Sequence, residues 1–442
     1  MSGVSKAVLS GLCALLSIKA FGGAQYIPCD HPFVFRDSAV NVVVLPYTTS
    51  IGQTEADERV SDTGEHLSLL VQMNILASIL KYPSVAAVQM VERHGGGTCI
   101  VDRVWDSVTH PSSHYDPAYQ VRPGNAIVLA SGRIFEDGGQ IFVQTFIRFA
   151  RVSAPEVLSV TVGKERFAGS FASQSFAMPP QRLSRADLDR IDELVRKNAQ
   201  IRSAPRDDAP GIATTGGIAR CGGCPAEDAG PFSYRVAEVQ GDWARVVSTE
   251  REGWMKLNTG FASGELAAKL PEMHFIDGVV GYLEKPAGKL AGAADAALGR
   301  YLEAAASASP STAAVVAHEL RAALLWPRED RDSAQRAVDL LEAATRLAPA
   351  DGSVRNLRCI ARLRLWQLGG PMISQREIAD AFLSASMLDS TRNTALLNLG
   401  AFYRLALSNE GPKTTDQLAA EEINPKLAYI QRILEARKSH YE

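Results

Sequence analysis

Three stretches in the last third of the chain superpose on one another without a gap: YLEAAASASPSTAAV (Tyr301–Val315), LLEAATRLAPADGSV (Leu340–Val354) and FLSASMLDSTRNTAL (Phe382–Leu396). They recur about forty residues apart, the length of a helical pair with generous loops. A unit of that size cannot bury its own apolar face, so copies must stack and share a core. The alanines in each copy let helices pack closely, and Pro310 and Pro349 close one helix before the next begins. Residues 261–442 are therefore expected to form an all-α array of stacked pairs.

Upstream the period changes from helix to strand. NVVVLPY (Asn41–Tyr47) is a short β-branched run, expected as a buried strand. GEHLSLLVQMNILASILKY has apolar residues at Leu67, Leu70, Val71, Ile75, Leu76 and Ile79, which is helical spacing. SVAAVQMV (Ser84–Val91) predicts a second strand, and AIVLASGRIFEDGGQIFVQTFIRFA two strands about Asp137-Gly138-Gly139. Strand, helix, strand and hairpin make an α/β layer over 25–183. SRADLDRIDELVRKNAQ (Ser184–Gln200) predicts an amphipathic helix capped by Ser184, and the Pro, Gly and Asp-rich stretch after it a linker, together 184–212. SYRVAEVQGDWARVVSTEREGWMKL (Ser233–Leu257) predicts short strands parted at Gly241-Asp242 and Glu252-Gly253, within a small β unit at 213–260.

The beginning of the chain has the order of a secretory leader: Lys6, an apolar run from Ala7 to Ile18, then Gly22, Gly23 and Ala24. Cleavage after Ala24 is expected, making 1–24 a signal peptide. The run is short for a bilayer span, and no later segment promises a transmembrane helix in the mature chain. Loss of Lys6 and Lys19 makes the formal charge two units more negative than −3. A mildly acidic protein has no basic excess to follow a phosphate backbone, so nucleic acid is a poor partner. The expected location is outside the cytosol, the periplasm first and secretion second.

Export bears on the cysteines, which pair in oxidising compartments. Cys29 lies just before the first strand signal and Cys99 just after the second, so a Cys29–Cys99 bridge is expected; closing so long a loop would stabilise the fold by roughly 4 kcal/mol. The CGGC stretch of Cys221 and Cys224 could be a redox pair, half a zinc site or a staple. Glu227 and Asp228 beside it disfavour a thiolate, and no second CxxC supplies zinc ligands. A loop disulfide is the expected outcome. Cys359 falls on the apolar face of a helix and is expected as a buried free thiol.

Three resemblances follow. Val43-Val44-Leu45-Pro46-Tyr47, and Gly132-Arg133-Ile134 leading into Gln140–Phe149, resemble the amino-terminal domain of TolB-like proteins across about Asn41–Ala150. That resemblance implies an envelope protein–protein contact module without known chemistry. Val236 or Val239, Gly241, Trp243, Val246, Gly253 and Trp254 resemble the tail of a bacterial Src-homology-3-like domain, whose opening has a counterpart in Ile218–Pro225. It implies a small β barrel in which Trp243 and Trp254 are core residues first and candidate ligand contacts second. The repeated units resemble tetratricopeptide repeats, which implies an inner face that binds peptides or partner proteins.

No reacting constellation is expected. His94-Gly95-Gly96-Gly97 imitates an oxyanion loop but has no Gly-x-Ser-x-Gly elbow to serve. Asp62-Thr63-Gly64 precedes a helix, where Asp62 or Thr63 is better explained as an N-cap than as a protease carboxylate. His110 and His114 have metal-like spacing only on a helix, which Pro111 argues against. The expectation is a multidomain α+β protein with no catalytic, cofactor-binding or metal residues. It would act as an exported scaffold or adaptor that meets envelope proteins or peptides through its helical repeat. The alternatives are a module that holds peptidoglycan through the small barrel and an envelope enzyme of unknown type.

Overall fold

The valine run folds as β1 (Val40–Ser50), with Val40, Val42, Val43 and Val44 all buried. Such a run belongs in the middle of a sheet, covered on both faces. The structure is a computed structural model and describes residues 38–50, 85–89, 126–151, 158–171, 173–190, 200–214, 233–247, 252–256, 269–284, 289–306, 311–388, 393–408, 410–412 and 416–438. β1 is flanked by two parallel neighbours, β2 (Val85–Gln89) and β3 (Ala126–Asp137). β3 turns back through Gly138 and Gly139, both at positive φ, into β4 (Gln140–Arg151). This is the two-residue hairpin that the Asp-Gly-Gly stretch predicts. β5 (Leu158–Val162) and β6 (Glu165–Gly169) form a separate two-stranded ribbon. β7 (Ser175–Ala177) and β8 (Gln181–Leu183) return to the outer edge of β4.

Ser184 caps a helical turn as expected. Its Oγ accepts from the Asp187 N–H at 3.2 Å, while the Asp187 carboxylate accepts from the Ser184 N–H at 2.8 Å. The stretch expected as a linker is instead the hairpin β9 (Gln200–Arg202) and β10 (Gly211–Thr214). Buried Ile201 ties β9 into the sheet, and Lys256 holds Asp207 of the connecting loop at 2.7 Å.

The small β unit also differs from expectation. β11 (Ser233–Gln240), β12 (Trp243–Val247) and β13 (Glu252–Lys256) form an antiparallel meander. Glu252 and Gly253, expected at a turn, already belong to β13. Among the described residues no closed barrel forms. β11 pairs with β2 and β13 with β9, so both outer edges of the meander are used to extend the sheet. The result is one eleven-stranded sheet in the order β10-β9-β13-β12-β11-β2-β1-β3-β4-β7, with β8 beside β7 on β4. An unpaired strand edge is a row of unsatisfied N–H and C=O groups, and pairing β11 with β2 satisfies two such rows together.

The helical half contains α1 (Glu272–Leu283), α2 (Lys289–Ala305), α3 (Thr312–Leu325), α4 (Arg331–Leu347), α5 (Gly352–Gln367), α6 (Gln375–Leu388), α7 (Thr394–Leu407) and α8 (Ala420–Lys438). Each packs on the next in sequence. The three repeated segments fall on the same junction each time: α2 into α3, α4 into α5, and α6 into α7. Their last residues, Val315, Val354 and Leu396, are buried in all three copies. Ser311, Asp330 and Asp351 cap the helices that follow them. Cys359, on α5, is a buried free thiol as expected. Among the described residues no helix is long and apolar enough to cross a membrane. The fold class is thus α+β, with strands in the first half and helices in the second.

Candidate functional site

Alternate helices share one side: α1 touches α3, and α5 touches α7. The tetratricopeptide resemblance implies that such a side is an inner face that binds peptides or partner proteins. Here the chain covers it with its own residues. α1 packs on β1 and β3, α3 on β7, α5 on β5 and β6, and α7 on β6. Two cores result. One joins the sheet to α1–α3, the other joins the β5–β6 ribbon to the end of α3 and to α4–α8, and a small cluster of Val315, Ala344 and Val354 lies apart from both.

The ribbon is held in three ways. Along one face Leu158, Val162 and Phe167 are at most 1% exposed and Val160 is 8% exposed. Phe167 stacks on Phe382 with ring centres 5.9 Å apart, and Phe402 lies 6.3 Å beyond. Gly169 lies so near α5 that a Cβ there would fall 2.6 Å from Leu357 Cδ2.

Along its edges the ribbon exposes main-chain groups, and side chains of the array take them up. Trp326 Nε1 donates to Ser159 O at 3.0 Å, and Gln367 Nε2 to Thr161 O at 2.7 Å. On the other edge the Ala168 N–H donates to Asn398 Oδ1 at 3.1 Å. Ala168 O accepts from Asn398 Nδ2 at 2.8 Å and from Asn356 Nδ2 at 3.2 Å. The second Asn398 Nδ2 proton goes to Asn356 Oδ1 at 2.8 Å, so the two amides orient one another. Both asparagines are 3% exposed. Buried amides cost free energy unless bonded, and the ribbon backbone supplies their partners.

At the tip, Arg404 grips Glu165 with two parallel bonds, Nε to Oε1 at 2.9 Å and Nη2 to Oε2 at 2.7 Å. The Lys164 N–H donates to Glu410 Oε2 at 3.2 Å. The array thus reads a β ribbon by its backbone, its aromatic ring and its carboxylate.

A second polar cluster lies where the sheet meets α1. Tyr47 Oη and Thr145 Oγ1 are 2.9 Å apart, and Thr145 Oγ1 donates to Glu272 Oε1 at 3.1 Å. Glu272 is 1% exposed and its Oε2 has no protein partner. Burial pushes its carboxyl up to about 7, against the opposing pull of the hydrogen bonds from its own N–H and Thr145. Burial and the nearby Glu272 push the Tyr47 phenol well above its ordinary range. Phenol, hydroxyl and carboxyl here form one hydrogen-bonded chain between the sheet and α1. A cleft of about 490 Å³ does open beside the β3–β4 turn, lined by Glu136, Arg182, Arg185, Asp187 and Lys269 among others. Its charges are of both signs, and Lys269 and Asp187 close on each other at 2.6 Å.

Of the residues singled out in the sequence, Trp243 is buried on β12, with Lys256 Nζ 5.6 Å from its ring centre, and Trp254 on β13 is half-buried. Cys29, Cys99, Cys221, Cys224, Asp62, His94, His110, His114 and the leader at 1–24 lie outside the described residues. Among the described residues no three His, Cys, Asp or Glu side chains converge to hold a metal ion. Asn356, Asn398, Arg404 and Glu272 carry no sequence motif. The signal that could have found the asparagines is a polar residue on the apolar face of a helix. For the ribbon it is the alternation Leu-Ser-Val-Thr-Val before Gly163-Lys164. No protein-family model, curated protein or solved structure matches the chain.

Proposed function

We propose that this protein is a non-enzymatic scaffold or adaptor of the bacterial cell envelope, exported by its leader and working through protein–protein contact. The observation that carries this reading is the ribbon seat, where Asn356, Asn398, Gln367 and Trp326 spend their polar groups on main chain. Side chains arranged this way hold polypeptide main chain. The resemblance of Asn41–Ala150 to TolB-like domains and of the repeated units to tetratricopeptide repeats supports the same role.

Chemical crosslinking in the native envelope, followed by purification of the tagged protein, tests the reading. A small reproducible set of envelope proteins, absent when the array is deleted, is the expected result. Capture of peptidoglycan alone would refute it in favour of a wall-binding role. Co-sedimentation with purified peptidoglycan makes that distinction sharper when Trp254→Ala is included, because Trp254 is the less buried of the two tryptophans.

A further inference from the structure

We propose that β5–β6 is a self-ligand, and that its seat on α5, α6 and α7, with Trp326 at the end of α3, accepts from a partner a β hairpin whose second strand carries a carboxylate two residues before a phenylalanine and a glycine two residues after it. The inference deepens the adaptor reading and rests on it. The occupant is read directly from the chain as Glu165-Arg166-Phe167-Ala168-Gly169.

The contacts fall into two classes. Those of Trp326 and Gln367 go to main-chain atoms of β5 and those of Asn356 and Asn398 to main-chain atoms of β6, and together they would hold any hairpin in the same place. The selective ones are three. The Arg404 fork matches a carboxylate and rejects a cation. The ring of Phe382 is offset-stacked with that of the occupant. Leu357 and Ile360 stand within 3.1 Å of where a Cβ on Gly169 would be, which excludes larger residues there. Glu165 and Phe167 are two apart on one strand, so both point to the same side of the ribbon. One strand can therefore reach the fork and the ring together.

Among the described residues the ribbon shares no pairing with the eleven-stranded sheet. A two-stranded ribbon is marginal by itself, so the seat decides whether it stays. It belongs to the same chain as its seat, so a free competitor must overcome an intramolecular contact. The wild-type site is therefore filled in cis, and weakening the ribbon frees it.

The test uses the full-length protein and a fluorescein-labelled peptide with the sequence Leu158–Gly169. Fluorescence anisotropy should show binding at least tenfold tighter to the Glu165→Arg, Phe167→Ala double variant than to wild type. Asn398→Ala added to that variant, or a peptide with lysine in place of its glutamate, should reverse the gain. Helicity by circular dichroism shows whether the array is still folded. A folded double variant that binds no better than wild type overturns the proposal.

Should the variant not fold, hydrogen exchange of the wild type with millimolar peptide decides instead. Faster exchange confined to Leu158–Gly169 supports displacement, and unchanged exchange overturns it. Envelope partners captured without peptide binding would sink this inference alone. Peptide binding without any envelope partner would sink the adaptor reading and leave the site.

Discussion

Glu272 is the first residue of α1 and sits under the sheet, hydrogen-bonded through Thr145 to Tyr47. Its carboxyl titrates near 7 in the folded protein against an ordinary 4.5, chiefly because burial penalises the charged form. The folded state therefore holds a proton that the unfolded state releases earlier. The stabilising contribution is fully present below about pH 4.5 and is lost as pH rises through 7. At about 1.4 kcal/mol per pH unit over that interval, the full loss is about 3 kcal/mol. Between pH 5 and pH 8 it is roughly 2–3 kcal/mol.

Glu272→Gln keeps an acceptor for Thr145 and removes the titration. Its absolute stability can fall, because the new amide N–H₂ has no acceptor where Oε2 now stands. The decisive quantity is the slope. Urea denaturation of both proteins across pH 5 to 8 should give a difference in unfolding free energy that moves by roughly 2–3 kcal/mol in favour of the variant as pH rises. Tyr47→Phe should shift the level by about 1 kcal/mol and keep the wild-type slope. Parallel pH profiles for wild type and Glu272→Gln would refute the reasoning.

Three other outcomes are expected. His318 on α3 is held below its ordinary range, first by burial and then by Arg321 and Arg346, to about 4. Its stabilising contribution is present above about 6.5 and is lost as pH falls through 4, so His318→Gln should unfold less readily on acidification, followed by tryptophan fluorescence. Gly169→Ala should cost about 1–3 kcal/mol in urea titrations, because its methyl group would overlap Leu357. Burial pushes the Cys359 thiol up to about 12, so Ellman's reagent should leave it unmodified in the native protein and titrate it at once in denaturant.

Much of the secondary structure was legible because it is local. The valine run of β1, the Gly138-Gly139 turn, the Ser184 cap and the junctions of the repeat each follow from residues within one turn or one strand of each other. Cys359 could be placed in the core for the same reason, by its position on a helical stripe. The linker misled because composition describes a segment in isolation, and the barrel because the resemblance covers the meander without the edges of β2 and β9 that it meets. SAPRDDAPGIATTGG is rich in breakers, yet Ile201 just before it is buried by neighbours from distant sequence, and the breakers only turn the chain between β9 and β10.

By itself the sequence determined the strands at β1 and about the Gly138-Gly139 turn, the cap at Ser184, and the recurring helix junctions of the last third. Periodicity, caps and turn residues act over a few positions, and nothing remote has to be known to read them. Only the tertiary structure decided that the meander gives its edge to β2 rather than closing, that Glu272 ends up beneath Thr145, and that Asn398 meets Ala168 across 230 residues of chain. Those pairings are settled by which unsatisfied edges and apolar faces remain exposed once the local elements exist. That is a competition among all of them at once.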